Sequence, residues 1–303
     1  MTKPSFQLFL KGMAMGAADV VPGVSGGTIA FITGIYKKLI DSISELKPSL
    51  LLVLKNEGFA SFWKKSNATF LINLFAGVFV SIFSLMKVAN YLLDTYPILV
   101  WSFFFGLVLG SVIYLLKQVE KWNIAMIILL TLSCVLAVFV SFVNPSSGSD
   151  SYLYLFISGA IASCAMILPG LSGAFILVLL GSYKNVTDAV SNFDLVKILM
   201  VALGAVVGLL SFARLLKFLF EKYNNLMMVI LTGFVAGSIT KIWPWKITTK
   251  TETINNKEII LDQDWVSPFN FPMENYFWES LLTFGVGLLV VFGLEALAKK
   301  KNR

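Results

Sequence analysis

Two short runs in this chain carry the residue types that hold an anion. The first reads Pro22-Gly23-Val24-Ser25-Gly26-Gly27-Thr28 and the second Pro169-Gly170-Leu171-Ser172-Gly173-Ala174. Proline and glycine break a helix, and the helix that restarts after each break offers its first unpaired N–H groups to the turn. Glycine lets the backbone come close, Ser25 and Ser172 each add a hydroxyl, and a helix N-terminus favours negative charge. The chemistry such turns support is the holding of a phosphate, by Ser25, Gly26, Gly27 and Thr28 in one copy and by Ser172 and Gly173 in the other. Pro22, Gly23, Pro169 and Gly170 are then the helix-breaking elements. Tight turning and close helix packing explain one such motif as well, but not two in equivalent positions.

Lys87 and Arg214 sit inside apolar stretches, also at equivalent positions. An ionisable group there costs about 2.5–3.5 kcal/mol on insertion scales, which makes each a candidate for phosphate binding. Arginine grips a phosphate through two N–H groups and lysine acts as a point charge. The competing reading is snorkelling to an interface about 10–12 Å away. Asp19 precedes the first turn, and Met166 stands at its place in the second copy. It is a candidate for carrying a coupling proton or gating, for pairing with a base, or for capping the broken backbone. The chain has no histidine, and Cys134 and Cys164 lie in apolar stretches without ligand spacing. No metal site, cofactor or catalytic residue is therefore expected.

These residues need a membrane to position them. The 303 residues are 57% hydrophobic and 14% charged, where a soluble domain has about 45–50% and 25%. Stretches 70–93, 98–116, 123–143, 195–220, 225–242 and 277–297 approach the roughly 20 apolar residues that cross a bilayer of about 30 Å, giving six spans. The net charge of +7 is dispersed over short connections, so no nucleic-acid partner is expected. Lys11 interrupts the first apolar run, and the segment recurs later, so a cleaved signal peptide is not expected.

The chain is duplicated. An offset of 147 residues pairs Gly12 with Gly159, Gly34 with Gly181, Tyr36 with Tyr183 and Asp41 with Asp188. An offset of 127 pairs Gly77 with Gly204, Lys87 with Arg214, Tyr96 with Tyr223, Gly106 with Gly233 and Gly110 with Gly237. The difference is an insertion at 45–67 whose mixed leucines, aromatics and lysines read as an amphipathic segment on the membrane surface, with a solvated loop as the alternative.

The expected fold is an all-α polytopic membrane protein of two inverted repeats, each a re-entrant broken-helix hairpin followed by three transmembrane helices. Residues 1–145 form the first repeat, with its hairpin at 5–36, and residues 150–303 the second, with its hairpin at 151–183. A continuous kinked helix is the alternative to each hairpin. With both termini inside, 16 of the 24 basic residues fall on the inner side and six on the outer, as the positive-inside rule requires of an inverted second half. Inverted repeats with interrupted helices meeting near the midplane are the architecture of many secondary transporters.

The run from Ala18 to Thr28, the second copy from Ala165 to Gly173 and the Gly-Leu-Val-Leu-Gly-Ser run from Gly106 resemble the PopT family across nearly the whole chain. The resemblance implies a multi-pass transporter of the bacterial cytoplasmic membrane that flips undecaprenyl phosphate, recycling the polyprenyl carrier for cell-wall polymer synthesis. It implies that lipid and the surrounding membrane lipids as partners, and leaves homo-oligomerisation open. The rival is an undecaprenyl-pyrophosphate phosphatase, which also uses a Pro-Gly-x-Ser turn but follows the serine with arginine and adds paired glutamates. Here Gly26 and Gly173 follow the serines, and no glutamate pair lies in an apolar segment near either turn.

Overall fold

A computed structural model describes residues 5–20, 25–143, 145–254 and 257–301. Each half opens with three short helices: α1 (Phe6–Val20), α2 (Gly26–Ile32) and α3 (Tyr36–Ser44), then α8 (Tyr152–Ile167), α9 (Gly173–Leu179) and α10 (Tyr183–Ser191). At 15 and 16 residues, α1 and α8 measure about 22–24 Å, short of a bilayer core. Each doubles back on its partner. Lys11 Nζ donates to the Thr33 carbonyl at 2.6 Å, tying the start of α1 to the end of α2, and Tyr154 Oη donates to the Leu180 carbonyl at 2.6 Å, tying α8 to the end of α9.

The longer helices are α5 (Ala68–Thr95), α6 (Pro97–Leu116), α7 (Ile124–Phe142), α11 (Leu195–Ser238) and α12 (Phe277–Lys301). Four helices among the described residues are long and apolar enough to cross a membrane: 68–95, 97–116, 124–142 and 195–242. The last contains both stretches read as separate spans, 195–220 and 225–242, because helix resumes directly after a single bent residue, Tyr223 (φ −135°, ψ 46°). Tyr96, its partner at the 127-residue offset, separates α5 from α6 with nearly the same backbone (φ −133°, ψ 51°). The apolar part of α12, Phe277–Gly293, is shorter.

Two of the connections hold elements of their own. The insertion at 45–67 holds a helix, α4 (Ser49–Lys65), bent at Gly58 (φ 81°), with Leu51, Leu52 and Phe59 exposed. The fold is predominantly helical, as expected, and the connection after α11 adds one pair of strands to it. Strands β1 (Lys246–Ile254) and β2 (Lys257–Trp265) pair antiparallel, with Lys246 opposite Trp265. The run Ile247-Thr248-Thr249, with Thr251, Thr253 and Ile254 beyond it, is β-branched, and branching at Cβ favours extended backbone.

The hairpins are held to the long helices by backbone contact. A Cβ on Gly12 would fall on the Leu74 carbonyl of α5, and one on Gly77 on the Phe9 carbonyl of α1. In the second half Gly159 meets the Val201 carbonyl of α11, and Gly204 meets the Phe156 carbonyl of α8. Every one of these four pairs maps onto its counterpart by the same two offsets. One turn further along, Gly16 faces Ser81, whereas Ser163 faces Gly208, so the small residues exchange sides and the close approach is kept.

The remaining helices cross between halves. Gly106 of α6 abuts the Phe284 carbonyl of α12, and Gly110 meets Leu288 and Val291. Gly233 in the last part of α11 abuts the Leu130 carbonyl of α7, and Gly237 meets the Cys134 carbonyl and Ala137. Thus α7 packs on the second half and α12 on the first. Replacing Gly77 or Gly204 by leucine is expected to cost about 1–3 kcal/mol or more by overpacking and to lower the unfolding midpoint of the solubilised protein. Gly285→Leu is the control, since nothing lies within 4 Å of its missing Cβ. Equal midpoints for the three variants would remove close packing as what seats the hairpins.

Candidate functional site

The start of α2 touches the end of α8 and the second turn. Thr28 Oγ1 accepts the Gly170 N–H at 2.9 Å, and Gly27 lies against the Ile167 carbonyl, with room for no side chain. Gly170 holds φ +85°, a conformation glycine adopts without strain, and so turns the chain from α8 into α9. Pro22 and Gly23 lie outside the described residues. Pro169 and Gly170 lie in the bend that separates α8 from α9.

Side by side, the turns differ in how their helix-opening N–H groups are used. In the first, Asp19 Oδ1 accepts the Gly26 N–H at 2.6 Å and Ser25 Oγ accepts the Gly27 N–H at 3.2 Å. The Ser25 carbonyl accepts from Thr28 at 2.9 Å and Ile29 at 3.4 Å. Of the roles open to Asp19, the geometry is that of a cap: its carboxylate occupies the position an external anion would take. Ser25, Gly26 and Thr28 are buried, while Asp19 itself is exposed. In the second turn Met166 replaces the aspartate, Ser172 makes no side-chain cap bond, and no residue of α9 is buried. The start of α2 is capped by a carboxylate of the chain itself, while Ser172 gives α9 no such cap.

Arg214 and Lys87 take different places. Arg214 Nη2 donates to the Leu46 carbonyl at 3.3 Å. One helical turn on, Lys217 Nζ reaches Glu45 Oε1 at 2.5 Å. The two bonds clamp the α3–α4 connection onto α11 and line a cleft of about 260 Å³ with Ser44, Lys47, Phe218 and Glu221. Lys87 stands exposed on α5, on the side of Phe83 and Tyr91. At the repeat offsets Glu45 corresponds to Asn192, Leu46 to Phe193 and Lys217 to Asn90. Phe193 is 80% exposed, and α10, the counterpart of α3, packs on α9 and on its own half's α11.

Glu45 and Lys217 escaped the sequence reading because they lie 172 positions apart; only the spacing of Lys217 three residues after Arg214 marked a shared face. The hydrogen bond from Lys217 holds the Glu45 carboxyl below its usual range. The bridge is therefore complete at neutral pH and is lost as pH falls through that lowered value. With Cys134 and Cys164 replaced, a cysteine at Ser44, which is 1% exposed, is expected to react slowly with a water-soluble thiol reagent. Glu45→Gln should speed its labelling relative to a control cysteine at Lys55; unchanged labelling would show that the bridge does not close this cleft.

Comparison with known proteins identifies the family of the chain. Residues 15–260 match the family described as undecaprenyl phosphate translocase-like. A polyprenyl-phosphate transporter of Vibrio cholerae serotype O1 is 45% identical over 297 residues, covering 96% of each chain. A polyprenyl-phosphate transporter of Staphylococcus aureus is 34% identical over 253 residues, covering 78% of this chain and 85% of its own. No solved structure matches. With a family match over most of its length and a relative this similar end to end, the chain belongs to the undecaprenyl phosphate translocase-like family.

Proposed function

We propose that this multi-pass protein of the bacterial membrane carries undecaprenyl phosphate across the cytoplasmic membrane, recycling the lipid carrier for cell-wall polymer synthesis, by alternating access between two inverted repeats. Relatives named as polyprenyl-phosphate transporters support the substrate. The observation that carries the mechanism is the Thr28–Gly170 contact between a capped helix start and an uncapped one. Matching element boundaries, the matched tyrosine bends and the matched glycine contacts support the repeats. Hairpins too short to cross leave three crossings per half, which turns the second half over relative to the first.

In this reading the headgroup enters at Ser172 and Gly173, where backbone donors are uncapped, while its polyprenyl tail remains in lipid. The clamp of Arg214 and Lys217 shuts the opposite side. Exchanging the conformations of the two halves generates the other state: Lys87 takes the position of Arg214 beside the Phe193 carbonyl, and Asn90 and Asn192 replace the ion pair. An amide pair holds less strongly than a hydrogen-bonded ion pair, so the state with the second turn open is favoured at rest. For the phosphate to reach Ser25, Gly26 and Gly27 it must displace the Asp19 carboxylate, since two anions on the same N–H groups repel. Protonating Asp19 removes that competitor, which gives the residue a coupling role on top of its capping one.

Reconstitution into vesicles with labelled undecaprenyl phosphate is expected to show movement between leaflets, lowered at least tenfold by Arg214→Gln with folded protein retained. Asp19→Asn keeps an oxygen for the Gly26 N–H but holds no exchangeable carboxyl proton. If Asp19 couples, this variant stalls transport; transport at the normal rate would leave Asp19 a cap alone. Release of inorganic phosphate from the pyrophosphate, without lipid movement, would replace the transporter reading with the phosphatase.

A further inference from the structure

Beyond the turns, two lysines come together without a carboxylate partner among the described residues. Lys241 lies in the short 3-10 turn after α11 (Ile239–Ile242), and its ammonium rests on the ring face of Phe175, in the first turn of α9. Lys246, the first residue of β1, donates from Nζ to the Lys241 carbonyl at 2.7 Å and stands 4.0 Å from the centre of the Trp101 ring. Among the described residues neither forms an ion pair with a carboxylate. Both are partly buried. Trp243 and Trp245 stack edge to face between them in sequence, and each indole N–H is fixed, Trp243 to the Val266 carbonyl at 3.0 Å and Trp245 to the Asn275 carbonyl at 2.9 Å. The two indoles between the lysines in sequence are thus both tied to backbone carbonyls.

Two like charges held together in partly dry surroundings are unfavourable unless an anion joins them. Burial alone brings the Lys246 ammonium down to about 8. Cation–π contact with Trp101 and Phe175 offsets part of this cost but neutralises neither charge. The pair also stands at a particular doorway. Phe175 follows Ser172 by three residues, and α9 is the helix whose opening N–H groups are uncapped. The first half has no equivalent: at the repeat offsets Lys241 corresponds to Tyr114, Lys246 to Val119 and Phe175 to Thr28.

We propose that Lys241 and Lys246 form an anion-receiving vestibule that takes a phosphate monoester beside the second turn, one half of the molecule alone being equipped for capture. This deepens the transport reading and rests on it for the lipid source of the phosphate; the anion site itself stands on the two lysines. A vestibule on one side gives a symmetric carrier a preferred loading side without requiring any difference between the two turns. The aromatic wall excludes water from the ammonium groups, so each contributes more to binding a phosphate than a solvated lysine does.

The test uses the full chain in lipid nanodiscs, with tryptophan fluorescence as the readout because Trp101 lies against Lys246. Undecaprenyl phosphate is expected to perturb the signal saturably, and Lys241→Gln with Lys246→Gln to weaken that binding at least tenfold. Lys246→Arg should retain most of it. A second measurement guards against misfolding: Lys246→Met removes an uncompensated charge while keeping the side chain's bulk, so the ligand-free protein should melt at a higher temperature than the unaltered one. Lower stability together with unchanged binding would overturn the proposal and make these lysines structural. Inorganic phosphate binding as tightly as the lipid would support the anion site while overturning its lipid source. Binding retained in a protein that moves no lipid would separate this inference from the transport reading.

Discussion

A helix that stops inside a membrane leaves backbone groups without partners, and lipid supplies none. The whole arrangement depends on how that constraint is met. Each broken helix is pressed so closely on a long one that a single methyl group at Gly12, Gly77, Gly159 or Gly204 would strike a carbonyl. Such contact matters more here than in water, because apolar side chains gain little by leaving lipid for each other and association falls to van der Waals packing. Seating α1 and α8 in this way fixes each against its long helix. It thereby helps to place α2 against the second turn.

The duplication was legible because it preserved residues with no substitute. Glycines at helix contacts and tyrosines at bends recur at fixed offsets, and the structure repeats the boundaries of α2 and α9, and of α3 and α10, residue for residue. The crossing of α7 and α12 between the halves was not legible. It rests on Leu130, Cys134 and Ala137 in one helix and Phe284, Leu288 and Val291 in the other, which share spacing but no residue type. Volume complementarity leaves no mark in one sequence. The β-hairpin was overlooked for another reason: its threonines and isoleucines sit among charges, so hydropathy registered only a polar loop.

Within the candidate site, residue types at the turns were readable and their pairing was not. Asp19 could be named as a cap or a coupling group from its position before the break, but its bond to Gly26 needed three dimensions. Arg214 was singled out for interrupting an apolar stretch, and its observed partner is a backbone carbonyl 168 positions away. Lys241 ends the apolar stretch 225–242, yet was counted with the charges of the loop beyond it. A lysine at the rim of a span resembles a topology signal until its surroundings are seen to lack an acid.

The two halves share a framework but not a charge pattern, and that difference has a mechanical consequence. An exactly symmetric carrier would occupy its two states equally and load from either face with equal ease. Here Glu45 pairs with Lys217 where the repeat offsets place Asn192 and Asn90, and Asp19 caps the first turn where the second has Met166. Under the alternating-access proposal both differences act in the same direction, holding the first turn closed and leaving the second uncapped. A ligand shifts such an equilibrium only by binding the two states differently. Under that proposal a phosphate meets the condition, since the first turn presents it with a competing anion and the second has no side-chain cap. The proposed bias then comes from a few charged side chains on one half of a shared backbone.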